Sequence, residues 1–117
     1  MEIIFENKDV ECLYTKGFCR KYKLDTKIID KFFNRMKVLA SAKDIMDLRE
    51  PPSNRFEKLK GNNLYSVRVD RKYRIEFKIE FHKGSELTGK IIIVDLSKHY
   101  EWNIWREKWL RLNHLLM

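Results

Sequence analysis

The chain has little of several features that would place a protein in a class at once. Its 117 residues include two cysteines, two prolines and four glycines. Two cysteines, at positions 12 and 19, make a poor disulfide framework and have none of the common paired metal spacings. They favour reduced thiols in a cytoplasmic protein. So few prolines and glycines leave no flexible linker or low-complexity segment, and we expect one domain over residues 1–117.

A long apolar run is also missing. The longest aliphatic stretch is residues 91–94, far short of the roughly 20 residues that a membrane helix needs. Residues 1–5 contain no basic region ahead of a long apolar one, so no secretory signal is expected. These absences argue against a membrane protein and favour a cytoplasmic location.

Positive charge is what the chain has in surplus. Lysine and arginine number 25 against 17 acidic residues, a net charge of +8. Residues 55–83 hold nine basic and four acidic side chains and so carry most of this surplus. Because a membrane surface is more often met by a basic amphipathic helix, a basic strand region favours nucleic acid. Tyr65, Tyr73 and Tyr100 add rings on which bases can stack.

Helical patterns fill the first half of the chain. After a short strand at residues 2–5, residues 9–14 predict a short helix that ends near Gly17. Asp25 is a suitable N-cap residue for a longer amphipathic helix. The apolar positions of this helix share one arc of the helical wheel: Ile28, Ile29, Phe32, Phe33, Met36, Leu39 and Ala40. A shorter helical piece is expected at 42–48, before two prolines break the pattern.

From residue 55 the hydrophobic period changes from 3.6 to 2. Residues 65–69 and 73–81 alternate and predict antiparallel strands, whereas residues 90–96 are apolar on both faces, as in a central strand. One strand, then helices, then a three-strand meander predict an α+β fold.

The hairpin between the first two meander strands has a preferred register. A three-residue loop at 70–72 keeps the apolar side chains of both strands on one face. It also places Arg68 opposite Arg74 on the other face, an unfavourable pairing of like charges. Either an anion that binds between them or the nearby Glu76 would offset this repulsion.

Four segments in order resemble the RelE/ParE toxin superfamily, and most closely its HigB-type branch. They are residues 59–61 (Leu-Lys-Gly), 65–70 (Tyr-Ser-Val-Arg-Val-Asp), 73–77 (Tyr-Arg-Ile-Glu-Phe) and 93–100 (Ile-Val-Asp-Leu-Ser-Lys-His-Tyr). Each motif alone is weak, but the ordered set is specific. The resemblance covers most of residues 1–101 and implies a small twisted antiparallel sheet packed against N-terminal helices.

The resemblance also implies a function. Members of the family are bacterial cytoplasmic toxins of type II toxin–antitoxin systems, and HigB-type toxins cut mRNA on the ribosome without a metal. For this chain it implies a ribosome-dependent mRNA endoribonuclease that needs no cofactor and no metal. The implied partners are mRNA on the ribosome and a helix-turn-helix, HigA-like antitoxin, and no membrane. The assembly is left open between a homodimer and a hetero-oligomer with the antitoxin.

Four residues match the catalytic positions of the family. Metal-free RNA cleavage needs a base, an acid and fixed cations around the phosphate. The resemblance implies that Arg74 serves the scissile phosphate, for which a guanidinium fork is suited, and that Lys60 makes a further phosphate contact. It implies that His99 is the acid or base and that Asp95 orients a partner or acts as base.

Further residues are expected to bind RNA, and the sequence departs from the family at two points. The expected RNA-binding residues are Arg68, Lys58, Arg71, Lys98 and Tyr100. Many HigB-type toxins end in a compact Asp-Tyr-His, whereas here residues 95–99 separate the aspartate from the histidine. Glu57 stands where some relatives carry a histidine, which shifts the implied chemistry towards Lys60, Arg74 and His99.

Residues 101–117 predict an additional C-terminal helix. Its apolar side chains lie within about 80° on the helical wheel: Trp102, Trp105, Trp109, Leu112 and Leu116. Three tryptophans are too much apolar surface to leave in water, so we expect this helix to fold back on its own domain. A dimer contact or an antitoxin-binding groove are the alternatives.

Two other functions stay open at this point. One is a ParE-like, non-enzymatic gyrase poison, against which the histidine end and the lysine-glycine pair at 60–61 argue. The other is a catalytically inactive homologue that binds RNA or antitoxin, which the absence of a histidine at position 57 leaves open.

Overall fold

The computed structural model describes residues 1–59 and 63–98. Lys60, His99, Tyr100 and the predicted helix at 101–117 lie outside the described residues. Within the described residues there are two α-helices, two short 3-10 helices and five strands. The helices are α1 (Lys8–Lys16), α2 (Thr26–Ser41), and the 3-10 turns Ile45–Arg49 and Pro52–Asn54. The strands are β1 (Glu2–Phe5), β2 (Glu57–Lys58), β3 (Leu64–Arg68), β4 (Tyr73–Phe81) and β5 (Gly89–Lys98).

The sequence correctly predicts where α1 ends and where α2 begins. Gly17 terminates α1 in a left-handed conformation (φ +80°) that glycine adopts without strain. The Asp25 side chain caps α2 by accepting the backbone N–H of Ile28 at 2.9 Å. The helical piece expected at 42–48 is a 3-10 helix at Ile45–Arg49. It starts later because Asp44 accepts the backbone N–H of Met46 at 2.8 Å and so caps that turn.

The strands form one sheet in the order β1-β5-β4-β3-β2. The predicted β3-β4-β5 meander is confirmed. The sheet is mixed rather than wholly antiparallel, because β1 pairs in parallel with β5. Both helices follow β1 and lead the chain to β2 at the opposite edge of the sheet. β2 is an addition at the other edge, and two residues are too few to show an alternating pattern.

The two faces of the sheet have opposite characters. The inner face buries Val67, Val69, Ile75, Phe77, Ile91, Ile93 and Leu96 in one core with Phe32, Met36 and Leu39 of α2. The predicted hairpin register is confirmed, since Arg68 pairs with Arg74 and the Val69 N–H donates to the Tyr73 carbonyl at 2.9 Å. Both arginines therefore lie on the outer face, because neighbouring side chains alternate across a strand.

A β-bulge interrupts the pairing of β4 with β5. Glu76 pairs with Asp95, but the next residue, Phe77, pairs with Ile93, so Val94 has no partner across the ladder. A bulge of this kind changes the direction of the side chains that follow it. Leu96 is thereby buried, and Ser97 lies beside Arg74 on the outer face.

The sequence predicts reduced cysteines and no membrane-spanning helix. Cys12 and Cys19 are both free thiols. Within the described residues, no helix has both the length and the apolarity to span a membrane.

Candidate active site

A cleft lies on the outer face of the sheet, at the end that carries the β3–β4 hairpin. It encloses about 420 Å³, including space open to solvent. Its lining is Arg55, Glu57, Ser66, Arg68, Asp70, Arg71, Lys72, Tyr73 and Arg74. Five cations against two carboxylates make this concave surface strongly positive, a property that attracts polyanions.

The hairpin loop that forms one wall is fastened by hydrogen bonds. The Asp70 carboxylate accepts the backbone N–H groups of Lys72 and Tyr73, both at 2.8 Å. Arg68 Nε donates to the Asp70 carbonyl at 3.1 Å, and Arg35 Nε of α2 donates to the Arg68 carbonyl at 2.6 Å. These bonds join the loop to β3 and β3 to α2. The backbone that carries the loop cations is therefore held in one conformation.

Arg74 is held by two residues on its own and the neighbouring strand. Glu76 Oε1 accepts from Arg74 Nη2 at 3.0 Å and from Nε at 3.1 Å. The Ser97 hydroxyl donates to the same Oε1 at 3.1 Å and accepts from Arg74 Nε at 3.3 Å. The Arg74 and Glu76 side chains are only 19% and 14% exposed. The Glu76 carboxylate therefore already offsets the repulsion between Arg68 and Arg74 in this structure.

Glu57 is a functional candidate whose position the sequence does not reveal. β2 pairs Glu57 with Ser66, and Ser66 pairs in turn with Glu76. The Glu57 side chain is exposed, lines the cleft and forms no ion pair with any described residue. From the sequence it is only a departure from the family pattern, whereas the fold makes it a carboxylate among cations.

Arg55 is a second candidate that sequence reasoning missed. Its backbone is left-handed (φ +44°, ψ +58°), and its N–H donates to the Pro52 carbonyl at 3.0 Å. The buried Asn54 amide supports this turn by donating to the Glu50 carbonyl at 3.0 Å. A left-handed residue other than glycine is uncommon, and this one brings a cation into the cleft lining. The available signal was the Pro-Pro-Ser-Asn turn just ahead of it.

A tyrosine–carboxylate pair involves the part of β5 that lies beyond its pairing with β1. The Tyr22 hydroxyl donates to Asp95 Oδ1 at 3.3 Å. Burial, followed by the charge of Asp95 and this hydrogen bond, raises the pKa of Tyr22 to about 12. Tyr22 therefore remains a protonated donor at neutral pH and orients the Asp95 carboxylate.

Comparison with known proteins agrees with the architecture. A family model described as "RelE-like toxin of type II toxin-antitoxin system HigB" matches residues 4–95. The chain belongs to this HigB-like family. It is 35% identical over 80 residues to Toxin HigB-1 of Vibrio cholerae serotype O1, a match that covers 66% of this chain and 82% of that one. It is 31% identical over 67 residues to an uncharacterized protein of Haemophilus influenzae, covering 56% and 66%.

Solved structures show the same fold as this HigB-like chain. A YoeB-YefM complex from Staphylococcus aureus matches with a TM-score of 0.53 and 19% identity, over 86% of this chain and 98% of that one. A heterotetrameric YoeB-YefM toxin–antitoxin complex from the same organism matches with a TM-score of 0.53 and 20% identity, with the same coverage. The shared fold confirms the α+β fold class, and the family model confirms the RelE-like, HigB-type resemblance.

The fold gathers part of the residue set that the HigB-type resemblance implies. Arg68, Arg71 and Arg74 share the cleft. Lys58, Lys98 and Asp95 are described but lie outside its lining. Lys58 alternates with Glu57 along β2 and places its Nζ 5.9 Å from the ring centroid of Tyr65.

Tyr65, one of the rings on which the sequence predicts base stacking, packs against other aromatic rings and does not line the cleft. Its ring stacks on Phe56 at 5.6 Å with an interplanar angle of 4°, and it lies 6.1 Å from Phe77 of the core. The ring is therefore used in packing at the inner face, because Tyr65 pairs directly with Phe77 across the hairpin. Tyr73 does line the cleft.

Proposed function

We propose that this HigB-like toxin is a ribosome-dependent mRNA endoribonuclease that inhibits translation by metal-independent acid/base cleavage. The observation that carries the proposal is the cleft in which Arg74 and Arg68 share one surface with the exposed Glu57 carboxylate. Cleavage of RNA requires these two kinds of group near one phosphate, a proton acceptor and fixed positive charge.

In the proposed reaction the ribose 2′-oxygen attacks the adjacent phosphorus. Glu57 accepts the 2′-hydroxyl proton as the new O–P bond forms. Arg74 and Arg68 offset the negative charge that builds up on the phosphoryl oxygens. The bond from phosphorus to the 5′-oxygen then breaks, and the leaving oxygen takes a proton from an acid. The products are a 2′,3′-cyclic phosphate and a 5′-hydroxyl end.

The remaining roles follow the resemblance. We assign the acid to His99 and a further phosphate contact to Lys60. Asp95 is assigned to orientation rather than to proton transfer, because Tyr22 already donates to its carboxylate. RNA contacts outside the reacting phosphate are assigned to Arg71, Lys58, Lys98 and Tyr100.

A helix-turn-helix antitoxin is the proposed protein partner, and the cytoplasm is the proposed location. Family membership supports an antitoxin, since the family is that of a type II toxin–antitoxin system. The solved complexes with YefM are examples of such pairs among proteins of the same fold.

The test is expression of the chain in bacteria with primer extension on the cellular mRNA. We expect translation arrest and transcripts cut inside codons. Arg74→Ala should relieve the arrest, whereas the matched control Lys78→Ala, which removes a cation from the same face of the same strand, should leave it intact. The proposal is wrong if Arg74→Ala and His99→Ala both stay fully toxic. DNA damage with intact mRNA would favour a gyrase poison, and RNA binding without cleavage an inactive homologue.

A further inference from the structure

The hydrogen bonds that Glu76 and Ser97 make with Arg74 are more specific than is needed to offset the charge of Arg74. All three donors converge on one atom, Glu76 Oε1, which accepts from two nitrogens of Arg74 and from the Ser97 hydroxyl at 3.0–3.1 Å. At 14% exposure, Glu76 is also far less accessible than Glu2 and Glu6, two acids in or next to β1 that form ion pairs with lysines of the sheet. An exposed acid elsewhere on the face would offset the charge without fixing the geometry.

This arrangement leaves Arg74 one direction in which to bind. A guanidinium has five N–H donors in a planar fork and can grip an oxyanion along its Nε–Nη2 edge or at its Nη1–Nη2 end. Glu76 occupies the first edge. Nη1 has no hydrogen-bond partner among the described residues, and it belongs to the end that remains for a ligand in the cleft.

Ser97 reaches this position through the bulge in β5. Without the unpaired Val94, the alternation of β5 would shift by one residue relative to β4. Ser97 would then lie on the inner face and Leu96 on the outer one. The same irregularity therefore buries Leu96 and supplies the second residue that contacts Arg74 Nε.

We propose that Glu76 and Ser97 are positioning residues that hold the Arg74 guanidinium so that its Nη1 end receives the scissile phosphate of RNA. The proposal rests on the endoribonuclease function proposed above. Glu76 lowers the positive charge of the cleft and so weakens the general attraction for RNA. In exchange, Arg74 is already oriented before RNA binds, which favours the transition state over the bound substrate.

The kinetic test compares two carboxylates on one strand. Glu76→Gln and Glu80→Gln raise the net charge equally, and both acids lie on the outer face of β4, but Glu80 forms no ion pair within the described residues. In cleavage of mRNA on ribosomes, Glu76→Gln should lower kcat by roughly 10- to 100-fold with KM unchanged or lower. Glu80→Gln should leave kcat unchanged. Equal kcat values for the two variants would overturn the proposal.

Ser97 gives a second, milder pair of variants in case Glu76→Gln fails to fold. Ser97→Ala removes the hydroxyl that bonds both Glu76 and Arg74, and Ser97→Thr retains a hydroxyl at the same carbon. We expect kcat to fall by several-fold in Ser97→Ala and to recover in Ser97→Thr. If Ser97→Ala cleaves like the unaltered chain, Ser97 is not a positioning residue.

A spectroscopic measurement separates this proposal from the endoribonuclease function itself. In ¹⁵N-labelled protein without RNA, the Nε–H signal of Arg74, assigned from Arg74→Lys, should show slow exchange with solvent. Glu76→Gln should speed this exchange, and Glu80→Gln should not. If the chain cleaves no RNA, this result still decides whether Arg74 is held. Exchange as fast as that of exposed Arg71 would overturn the positioning role.

Discussion

Two parts of the outer sheet face, the β1 end and the end with the β3–β4 hairpin, differ in how their charged side chains are arranged. Near β1, opposite charges alternate and pair, with Lys78 Nζ 3.5 Å from Glu6 and Lys90 Nζ 4.0 Å from Glu2. At the hairpin end, two arginines lie directly opposite each other, and further cations surround them. Exposed pairs of the first kind contribute about 0–1 kcal/mol each and are ordinary solvated surface.

This difference shows where the surplus of positive charge is concentrated within the net charge of +8. Charged residues that alternate along a strand are compatible with both arrangements, paired opposite charges and clustered cations. The register between the strands and the course of the loops decide which cations lie together. At the hairpin end the loop, the left-handed Arg55 and the Glu57 carboxylate, which forms no ion pair within the part of the chain described, converge on one cleft. We therefore expect substitutions at this end to affect activity and equivalent substitutions near β1 to have little effect.

The largest effect is expected when a carboxylate at the hairpin end is replaced by an amide, with the same replacement at the β1 end as the control. Glu57→Gln removes the proposed proton acceptor and should lower kcat by about 100-fold or more, as losses of general bases do. Glu6→Gln, at the β1 end, should leave kcat unchanged. Single-turnover cleavage of mRNA on ribosomes measures both. Activity of Glu57→Gln within twofold of the unaltered chain would assign the base elsewhere.

A smaller effect is expected on RNA binding and its salt dependence. Arg68→Ala should weaken the binding of a short single-stranded RNA and lower the slope of log K against log salt by about 0.7, the value for one phosphate contact. Lys90→Ala removes a cation from the β1 end and should leave the slope unchanged. Fluorescence anisotropy over a salt series measures it, and equal slopes in the two variants would contradict a localised phosphate site.

The Tyr22–Asp95 pair should appear in the pH dependence of stability. The pKa of Tyr22 is raised to about 12 in the folded chain, above its ordinary value, so the folded state binds this proton more tightly than the unfolded state. Stability from this source is complete below about pH 10 and is lost as the pH rises through about 12. After allowance for solvent exposure the loss is on the order of 1 kcal/mol.

Urea unfolding at pH 9 and pH 12 tests this expectation. Tyr22→Phe should reduce the difference between the two pH values, because phenylalanine carries no ionisable group. Tyr14→Phe is a matched control in which the difference should persist. An undiminished difference in Tyr22→Phe would contradict the assignment.

The smallest effect is expected at the β1 end itself. A double-mutant cycle with Glu6→Ala and Lys78→Ala should give a coupling free energy below about 1 kcal/mol, since both side chains are exposed. Thermal unfolding measures it. A coupling of several kcal/mol would show that this end is more than solvated surface and would weaken the contrast.

Local patterns predicted much of the fold and part of the cleft. The period of 3.6 located α2, Asp25 and Gly17 marked helix ends, and the period of 2 set the hairpin register that opposes Arg68 to Arg74. These features depend on residues close in the chain, so their physical causes can be seen in a short window of sequence. The ordered motifs added the family, which the match over residues 4–95 confirms.

Other features depend on contacts between distant residues, which no local window contains. The parallel pairing of β1 with β5 joins segments about ninety positions apart. Glu57 enters the cleft through a strand of two residues, too short for a periodic signal. Tyr65 packs at the inner face, because its partner across the hairpin is the buried Phe77.

By itself, then, the sequence determined the helices, the meander and the family, because periodicity, capping and short motifs are local properties. The tertiary structure decided which further groups join Arg68 and Arg74 at the cleft. The bulge at Val94 places Ser97 beside Arg74, and the left-handed turn brings Arg55 to the same cleft. Side-chain direction reverses with a one-residue shift in register, so the membership of this site depends on pairings that only the folded chain defines.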